Sequence, residues 1–396
     1  MAEIGKPPPV RAVGLRPTLR ARMPLVRSIA RIRPGSRARF GIFCVAAAAL
    51  LFPLVHHNDA DVDSMANALS FAALALGLNI VVGFAGLLDL GYAAFFAIGA
   101  YAYGILSSWQ LQPEWTNFWE PFQWLGLVAR NHTTAGDFVH FQVSFWLMLP
   151  GSAAIAAFCG VLFGAPTLRL KGDYLAIVTL GFGEIVPIVV RNWPSLTNGA
   201  MGLNGVAPPQ LFGFDFGVSA TPYYYVGVAL VALLIVMSQR LKDSRIGRAW
   251  MAIRDMDVAA EIIGIRPLRT KLLAFALSSF YCGIAGAMWA FIYTSAVEAS
   301  AFEIDRSFQI LFMIIIGGLG SILGSFLGAG FIVLLPIFLD NAPRLAGLEL
   351  PVNLVTNLQT MIFGALIVFF LIIEPNGLAR LWVIGKEKLR LWPFPH

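Results

Sequence analysis

The stretch KLLAFALSSFYCGIAGAMWAFIY, residues 271–293, decides the fold class of this protein. It carries one charged residue, Lys271, at its first position. A bilayer core about 30 Å thick is crossed by roughly 20 apolar helical residues, so this stretch predicts a transmembrane helix. The whole chain of 396 residues is 58% hydrophobic and only 13% charged, which is more apolar than a soluble domain of this length. The composition therefore predicts a polytopic membrane protein.

Similar apolar runs on both sides of this stretch predict about ten membrane segments. Their predicted bounds are 40–57, 64–82, 91–107, 143–164, 174–190, 222–238, 271–293, 308–319, 322–339 and 356–373. The eighth run is too short for an ordinary crossing and indicates a short or broken helix. Because the runs are long and do not alternate between apolar and polar residues, we predict an all-α membrane bundle.

The charge distribution predicts the orientation of the bundle. The Arg-rich segment 1–39 is predicted to be a cytoplasmic tail, 40–373 the transmembrane domain and 374–396 a second cytoplasmic tail. The outward loops then hold only four of the 28 basic residues, namely Arg130, Arg191, Arg306 and Arg344. This agrees with the excess of Lys and Arg in cytoplasmic loops. The net charge of +6 comes from the first tail, so a nucleic-acid-binding body is excluded.

The largest inward loop between crossings, residues 239–270, is predicted to contain an amphipathic helix over 249–263. One face of that helix is apolar at helical spacing, formed by Ala249, Ala252, Ile253, Met256, Ala259, Ala260 and Ile263. Such a helix either lies on lipid headgroups or docks on a cytoplasmic partner. The acidic side chains of Asp257 and Glu261 favour the partner, because anionic headgroups repel them.

Two acidic residues lie within or beside the predicted crossings. Asp89 lies in a turn between two crossings, where a solvated or helix-capping role is expected. Glu184 lies inside the fifth crossing, where an ionisable group costs on the order of 3 kcal/mol. It is therefore predicted either to line a polar translocation route or to brace that lining against a neighbouring helix. Together with Asn79 and Thr179, these residues are the candidates for the pathway.

Two Gly-rich stretches, 77–91 and 317–330, allow two interpretations. Small residues permit close helix packing in membranes, which is the preferred interpretation here. The same composition is also typical of a broken helix beside a cavity.

The stretch SRIGRAWMAIRDMDVAAEIIGI, residues 244–265, resembles the cytoplasmic coupling loop of the permeases that import branched-chain amino acids with ATP-binding cassette ATPases. Further stretches resemble this family in its order: GLNIVVGFAGLLDLGYAAFFAIGAY at 77–101, TLRLKGDYLAIVTLGFGEI at 167–185, LTNGAMGLNGV at 196–206, GGLGSILGSFLGA at 317–329 and EPNGL at 374–378. The resemblance covers about residues 64–382. The sequence departs from the family pattern at Asp89, at Tyr92, and at Val258, where the pattern has a glutamate.

The resemblance implies the longer of two permease chains in an importer for branched-chain amino acids or related small polar organic solutes. It implies a second permease subunit, two cytoplasmic ATPase subunits, an external solute-binding protein and membrane lipids as partners, in a bacterial inner membrane, with no nucleic acid. It assigns coupling to the ATPase to Arg248, Ile253, Arg254, Met256, Asp257, Ala259, Ala260, Glu261 and Gly264. The chain has no G-x-x-x-x-G-K-[ST] motif, so we expect no cofactor on it and ATP use by the partner subunits.

Two other classes of protein are considered from the residues. An ion-gradient-driven secondary transporter of amino acids would also be polytopic and Gly-rich, but such carriers usually have more ionisable groups in the membrane than Glu184 alone. An intramembrane enzyme is not expected, because the five histidines fall in outward loops or the C-terminal tail. We therefore predict no catalytic residue and no metal site.

Overall fold

The structure is a computed structural model. It describes residues 59–107, 128–133, 136–143, 145–170, 172–204, 210–211, 214–215, 220–292, 296–345 and 377–391, with isolated positions at 52–53 and between 357 and 372. The predicted tail 1–39 and nearly all of the first predicted crossing, 40–57, lie outside the described residues. The tenth predicted crossing, 356–373, is described only at scattered helical positions.

The described residues fold mainly into helices, as predicted. The helices are α1 Asp59–Leu78, α2 Tyr92–Ser107, α3 Phe145–Thr167, α4 Asp173–Arg191, α5 Pro194–Thr197, α6 Ala220–Asp243, α7 Arg245–Asp255, α8 Asp257–Ile262, α9 Pro267–Ile292, α10 Ile304–Gly317, α11 Ile322–Leu345 and α12 Gly377–Leu391. A π-helix, Asn79–Phe84, continues α1, and 3-10 turns cover Gly199–Met201 and Ala299–Phe302.

Short antiparallel strand pairs occur in the predicted outward loops. They are β1 Val128–Thr133 with β2 Gly136–Val143, β3 Leu203–Asn204 with β6 Ala296–Val297, and β4 Gln210–Leu211 with β5 Phe214–Asp215. In the β3–β6 pair, Leu203 lies opposite Val297. These pairs join loops and do not form a layer of the fold, so the helical bundle remains the architecture.

Within the described residues, the second to ninth predicted crossings match the helices closely. Five of the described helical segments are long and apolar enough to cross a membrane: Asp59–Phe84, Phe145–Thr167, Asp173–Arg191, Thr221–Asp243 and Pro267–Ile292. Tyr92–Ser107 and Ile322–Phe338 are shorter apolar helices. The eighth predicted run forms α10, which has 14 residues and is short as predicted. The chain is thus a multi-pass membrane protein.

Helices α1 and α9 form the centre of the bundle. Most of their side chains are buried, and α9 packs against α1, α2 and α3. Glycines bring these helices close together. A Cβ on Gly99 of α2 would lie 2.6 Å from the Cα of Gly283 in α9, and a Cβ on Gly283 would lie 2.7 Å from the Cα of Ala153 in α3. Close packing by small residues therefore holds the core together.

The Gly-rich stretches combine close helix packing with helix breaks. In 317–330, Gly317 packs against the backbone of Gly324, and Gly328 packs against the backbone of Met313, so α10 and α11 lie in close contact. In the same stretch, Gly318 and Gly320 have φ of 113° and 76° and form the turn between these helices. In 77–91, the helix of the second crossing changes to the π-helix and then ends. Packing and helix breaks therefore occur side by side.

Candidate functional site

The loop 239–270, predicted to lie inward, forms two helices rather than the single predicted helix over 249–263. Met256 is extended, with φ −160° and ψ 101°, and it separates α7 from α8. The Ser244 side chain caps α7 by accepting a hydrogen bond from the Gly247 N–H at 3.2 Å. Asp257 begins α8, where its negative charge is favourable near the helix N-terminus. The prediction of one continuous helix was wrong because a pattern of apolar residues does not detect a single extended residue.

Helix α7 packs into the bundle. Trp250 is fully buried and Ile253 is almost fully buried. The indole Nε1 of Trp250 donates a hydrogen bond to the carbonyl of Thr270, 2.8 Å away at the start of α9. Arg254 donates a hydrogen bond to the carbonyl of Gly83 in the π-helix. These contacts fix α7 to helices that are distant in sequence.

Helix α8 and its flanking residues present large apolar side chains outwards. Met256 is 63% exposed, Val258 68%, Ile262 80% and Ile263 73%. Only Ala260 of α8 is buried. The predicted apolar face is therefore divided: Ile253 and Ala260 face the bundle, whereas Met256 and Ile263 do not. A lone exposed apolar residue needs no explanation, but a cluster of this kind on a small helix marks an interaction surface.

The other coupling candidates lie at the surface of the same loop. Ala259, Glu261 and Gly264 are exposed, and Gly264 has a φ of 92°, which ends the helical run at a conformation that favours glycine. Arg248 donates a hydrogen bond to the carbonyl of Asp243 at 2.8 Å. Asp257 forms an ion pair with Lys271 in α9, with 2.6 Å between Oδ2 and Nζ.

Two of the pathway candidates, Asp89 and Thr179, lie together at the start of α2. Asp89 is buried and accepts a hydrogen bond from the N–H of Gly91 at 3.0 Å. The Thr179 hydroxyl accepts from the N–H of Leu90 at 3.1 Å. Asp89 therefore stabilises the turn before α2, whereas the N–H of Ala93 inside the helix bonds the Ser307 hydroxyl; the burial of Asp89 shows that the solvated alternative was wrong. Burial raises the pKa of Asp89 to about 7, against the opposing effect of the hydrogen bond from Gly91.

These two residues border a small cavity of about 10 Å³, with room for one water molecule at most. The remaining lining residues are Gly91, Phe95, Phe163, Thr167, Phe182 and Phe275. The cavity is too small for an amino acid in this conformation. Asp89 and Thr179 therefore stabilise the end of a helix in the described structure.

Asn79 lies apart from that pair. It is buried in the π-helix, where its Nδ2 donates to the carbonyl of Ser321 at 3.2 Å and its Oδ1 accepts from the N–H of Gly320 at 2.8 Å. The side chain thus joins the break after α1 to the turn between α10 and α11. The sequence did not predict the π-helix, a conformation that is often found at functional sites.

Glu184 lies on the outer surface of α4, away from the core. Its neighbour Gly183 packs against Gly91, whereas the Glu184 side chain is exposed. It forms no hydrogen bond or ion pair with the residues that the structure describes. The same surface contains the exposed side chains of Ile177, Ile185 and Ile188. A brace to a neighbouring described helix is therefore not found, and the carboxylate faces out of this subunit in the middle of a span.

Comparison with known proteins gives a consistent match. Residues 62–371 match the family described as the branched-chain amino acid transport system permease component. The chain is 34% identical to the high-affinity branched-chain amino acid transport system permease protein LivM of Salmonella typhimurium, over 76% of this chain and 68% of that protein. It is also 34% identical to LivM of Escherichia coli, over 72% of this chain and 65% of that protein.

More distant relatives are also permeases. The high-affinity branched-chain amino acid transport system permease protein LivH of Salmonella typhimurium is 21% identical, over 78% of this chain and 91% of that protein. The chain spans about two thirds of the length of the two LivM proteins. No solved structure gives a significant match. The matched family is a component of transport systems and not an enzyme family.

Proposed function

The chain belongs to the family of branched-chain amino acid transport system permease components, and on this basis we propose that it is the transmembrane permease subunit of an ATP-binding cassette importer. Its solutes are branched-chain amino acids or related small polar organic compounds. ATP is bound and hydrolysed by two separate cytoplasmic ATPase subunits, and this chain holds no cofactor. An external solute-binding protein delivers the solute. The protein lies in a bacterial inner membrane with both termini in the cytoplasm.

One observation carries the coupling part of this proposal, namely the exposed apolar surface of α8. Met256, Val258, Ile262 and Ile263 lie on an inward loop and are covered by no other described part of the chain. Burying one such side chain in a partner is worth roughly 1.5–3 kcal/mol. A short helix with exposed apolar anchors suits a groove on a partner protein. We propose that this groove lies on the ATPase subunit.

The connection from α8 to the bundle supports the transmission of force. The Asp257 carboxylate at the start of α8 lies 2.6 Å from the Lys271 ammonium in the first turns of α9. Helix α9 runs through the centre of the bundle and contacts α1, α2 and α3. A movement of α8 that is driven by the ATPase therefore acts on the central helix.

A second permease subunit is proposed to cover the surface of α4 that holds Glu184. Because an exposed carboxylate in the middle of a span is costly against lipid, it is expected to face a polar space or a partner. The relatives include permeases of two kinds, LivM and LivH. We place the translocation route between this chain and a LivH-like subunit, with Glu184 in its lining and Asp89, Thr179 and Asn79 supporting the helix ends behind it.

The coupling proposal is tested with Ile262→Asp and Ile263→Asp in the complete complex, reconstituted in proteoliposomes with the binding protein. A carboxylate at either position of the apolar contact is expected to lower ATP-dependent uptake of labelled leucine at least tenfold and to reduce copurification of the ATPase. Leu170→Asp is the matched control, since Leu170 is an exposed apolar residue of another predicted inward loop. Normal uptake and ATPase copurification in both variants contradict the proposal.

The route proposal is tested with Glu184→Gln, which keeps the size of the side chain and removes its charge. We expect a change in leucine uptake of at least fivefold, with normal assembly of the four membrane-associated subunits. Asp173→Asn is the control, because Asp173 is an exposed acid at the first position of the same helix. If Glu184→Gln takes up leucine at the wild-type rate, a role of the Glu184 carboxylate in the route is excluded. Uptake that persists without ATP and collapses with the proton or sodium gradient supports a secondary transporter instead.

A further inference from the structure

Two helix breaks that are far apart in sequence meet at one place. The first is the π-helix with the residues that follow it, 79–86, and the second is the turn 318–321 between α10 and α11. The Asn79 amide joins them through the two hydrogen bonds to Ser321 and Gly320. We name these two segments the paired breaks. Asn79 itself is buried, and its two hydrogen bonds are partly buried.

The side chain of Arg254 extends from α7 onto the paired breaks. Its stem covers Gly86, since a Cβ built on Gly86 would lie 2.8 Å from Arg254 Cγ and 3.1 Å from Arg254 Cβ. Its guanidinium donates a hydrogen bond to the carbonyl of Gly83. A Cβ on Gly320 would lie 3.2 Å from Arg254 Nη1. One arginine therefore contacts both segments.

The chemistry of the contact suits an arginine. Carbonyl groups in the last turn of a helix have no partner within it, and Gly83 lies one residue before the end of the π-helix. A guanidinium has several donors in a rigid plane, so it bonds that carbonyl while its stem packs on glycine. The three contacted positions are all glycines. A side chain at Gly86 or Gly320 would meet Arg254, and one at Gly83 would meet Asn79 and the N–H of Gly320.

The helix that presents Arg254 is also fixed to α9 by the hydrogen bond from Trp250 to the carbonyl of Thr270. A displacement of α8 is therefore expected to move α7, which carries Arg254 in its last turn. The covalent route from this loop leads only into α6 and α9. The contact of Arg254 leads instead to the ends of α1, α10 and α11, which are not adjacent to the loop in sequence.

We propose that Arg254 is a positioning residue that transmits movement of α7 and α8 to the paired breaks, and so to α1 and α11. This inference rests on the proposed function. It identifies a second, noncovalent route of coupling, which reaches other helices than the ion pair between Asp257 and Lys271 does. In this route, Arg254 acts on the backbone at Gly83, Gly86 and Gly320.

The test uses the complete reconstituted complex with Arg254→Ala, Arg254→Lys and the control Arg245→Ala. Arg245 is an exposed arginine on the same helix. Leucine uptake and ATP hydrolysis are measured together. We expect Arg254→Ala to retain at least half of the wild-type ATPase rate while uptake per ATP falls about tenfold. In Arg254→Lys, uptake per ATP is expected to fall about threefold, because lysine keeps the aliphatic stem and the charge but not the planar donor group. Arg245→Ala is expected to match wild type.

Uptake per ATP within twofold of wild type in Arg254→Ala overturns the inference while leaving the proposed function intact. If Arg254→Ala does not assemble, Arg254→Lys decides: a threefold loss in an assembled complex supports the inference, and an unchanged ratio overturns it. An equal loss in Arg245→Ala also overturns it, since any loss of charge on α7 would then suffice. A wild-type complex without ATP-dependent uptake overturns the proposed function and this inference with it.

Discussion

Helices α7 and α8 are separated by one residue, yet their apolar side chains face different surroundings. In α7, Trp250 and Ile253 are buried against the bundle. In α8, Val258 and Ile262 are exposed, and only Ala260 is buried. The extended conformation of Met256 separates the two directions. The same loop thus contains one helix that buries a tryptophan and an isoleucine within this chain and one that buries only an alanine.

This difference separates stability from coupling. Side chains of α7 contribute to the folding of the permease itself, because their contacts are internal. Side chains of α8 contribute little to folding and are available to a partner. Substitutions in α7 are therefore expected to act on unfolding, and those in α8 on assembly and transport. The following predictions test this separation, from the largest expected effect to the smallest.

The largest expected effect is that of Trp250→Ala in α7. Removal of a fully buried tryptophan leaves a cavity and costs about 3–5 kcal/mol. Ile262→Ala in α8 is expected to change the free energy of unfolding by less than about 0.5 kcal/mol, since its side chain is exposed. Denaturant unfolding of the purified subunit in detergent measures both. Equal losses in the free energy of unfolding for the two variants would contradict the different contributions of α7 and α8 to folding.

A second effect concerns the loop that α7 contacts. Asp89 lies three residues after Gly86, and burial raises its pKa to about 7 from an ordinary value of 3.8. Between these values, the carboxyl is ionised in the unfolded chain but protonated in the folded one. The free energy of unfolding is therefore expected to fall as the pH rises from about 4 to about 7, and to be independent of this group below that range.

The measurement is unfolding of wild type and Asp89→Asn across this pH range. As the pH falls from about 7 to about 4, the free energy of unfolding of the wild type is expected to rise relative to that of Asp89→Asn. A difference that is constant from pH 4 to pH 7 would contradict the pKa assigned to Asp89.

The smallest expected effect is that of Asp257→Asn, which breaks the ion pair with Lys271. The Asp257 side chain is about half exposed, so solvent screening limits the loss of stability to about 0–1 kcal/mol. The difference from wild type is expected to shrink at high salt. Glu261→Gln is the control, because Glu261 forms no ion pair with the residues that the structure describes. A salt-independent loss in Asp257→Asn would contradict an electrostatic origin.

Much of the fold could be predicted because membrane crossings are local properties of the sequence. The run 271–293 forms α9, which begins earlier, at Pro267, since proline is well tolerated in the first turn of a helix. The short eighth run forms α10 with 14 residues. In contrast, the π-helix at 79–84 was not predicted, because its composition is that of an ordinary apolar helix.

The candidate site was predicted less completely. The spacing over 249–263 gave one apolar face, but burial divides that face between the bundle and the exterior at Met256. Asp89 was expected to be solvated or to cap a helix, and its burial follows from the packing of α2 against α4 and α9. The exposed position of Glu184 on α4 depends on the rotation of that helix, which its own sequence does not fix.

The sequence by itself determined the membrane class, the crossings that fall within the described residues and the existence of a charged loop between α6 and α9, because the length and period of apolar runs are properties of neighbouring residues. Only the tertiary structure decided which apolar side chains are covered, and that Arg254 meets the carbonyl of Gly83, 171 positions away in the chain. Such contacts arise from the packing of whole helices, where the closest approach of backbones at glycine sets the distances and no local pattern encodes the partner.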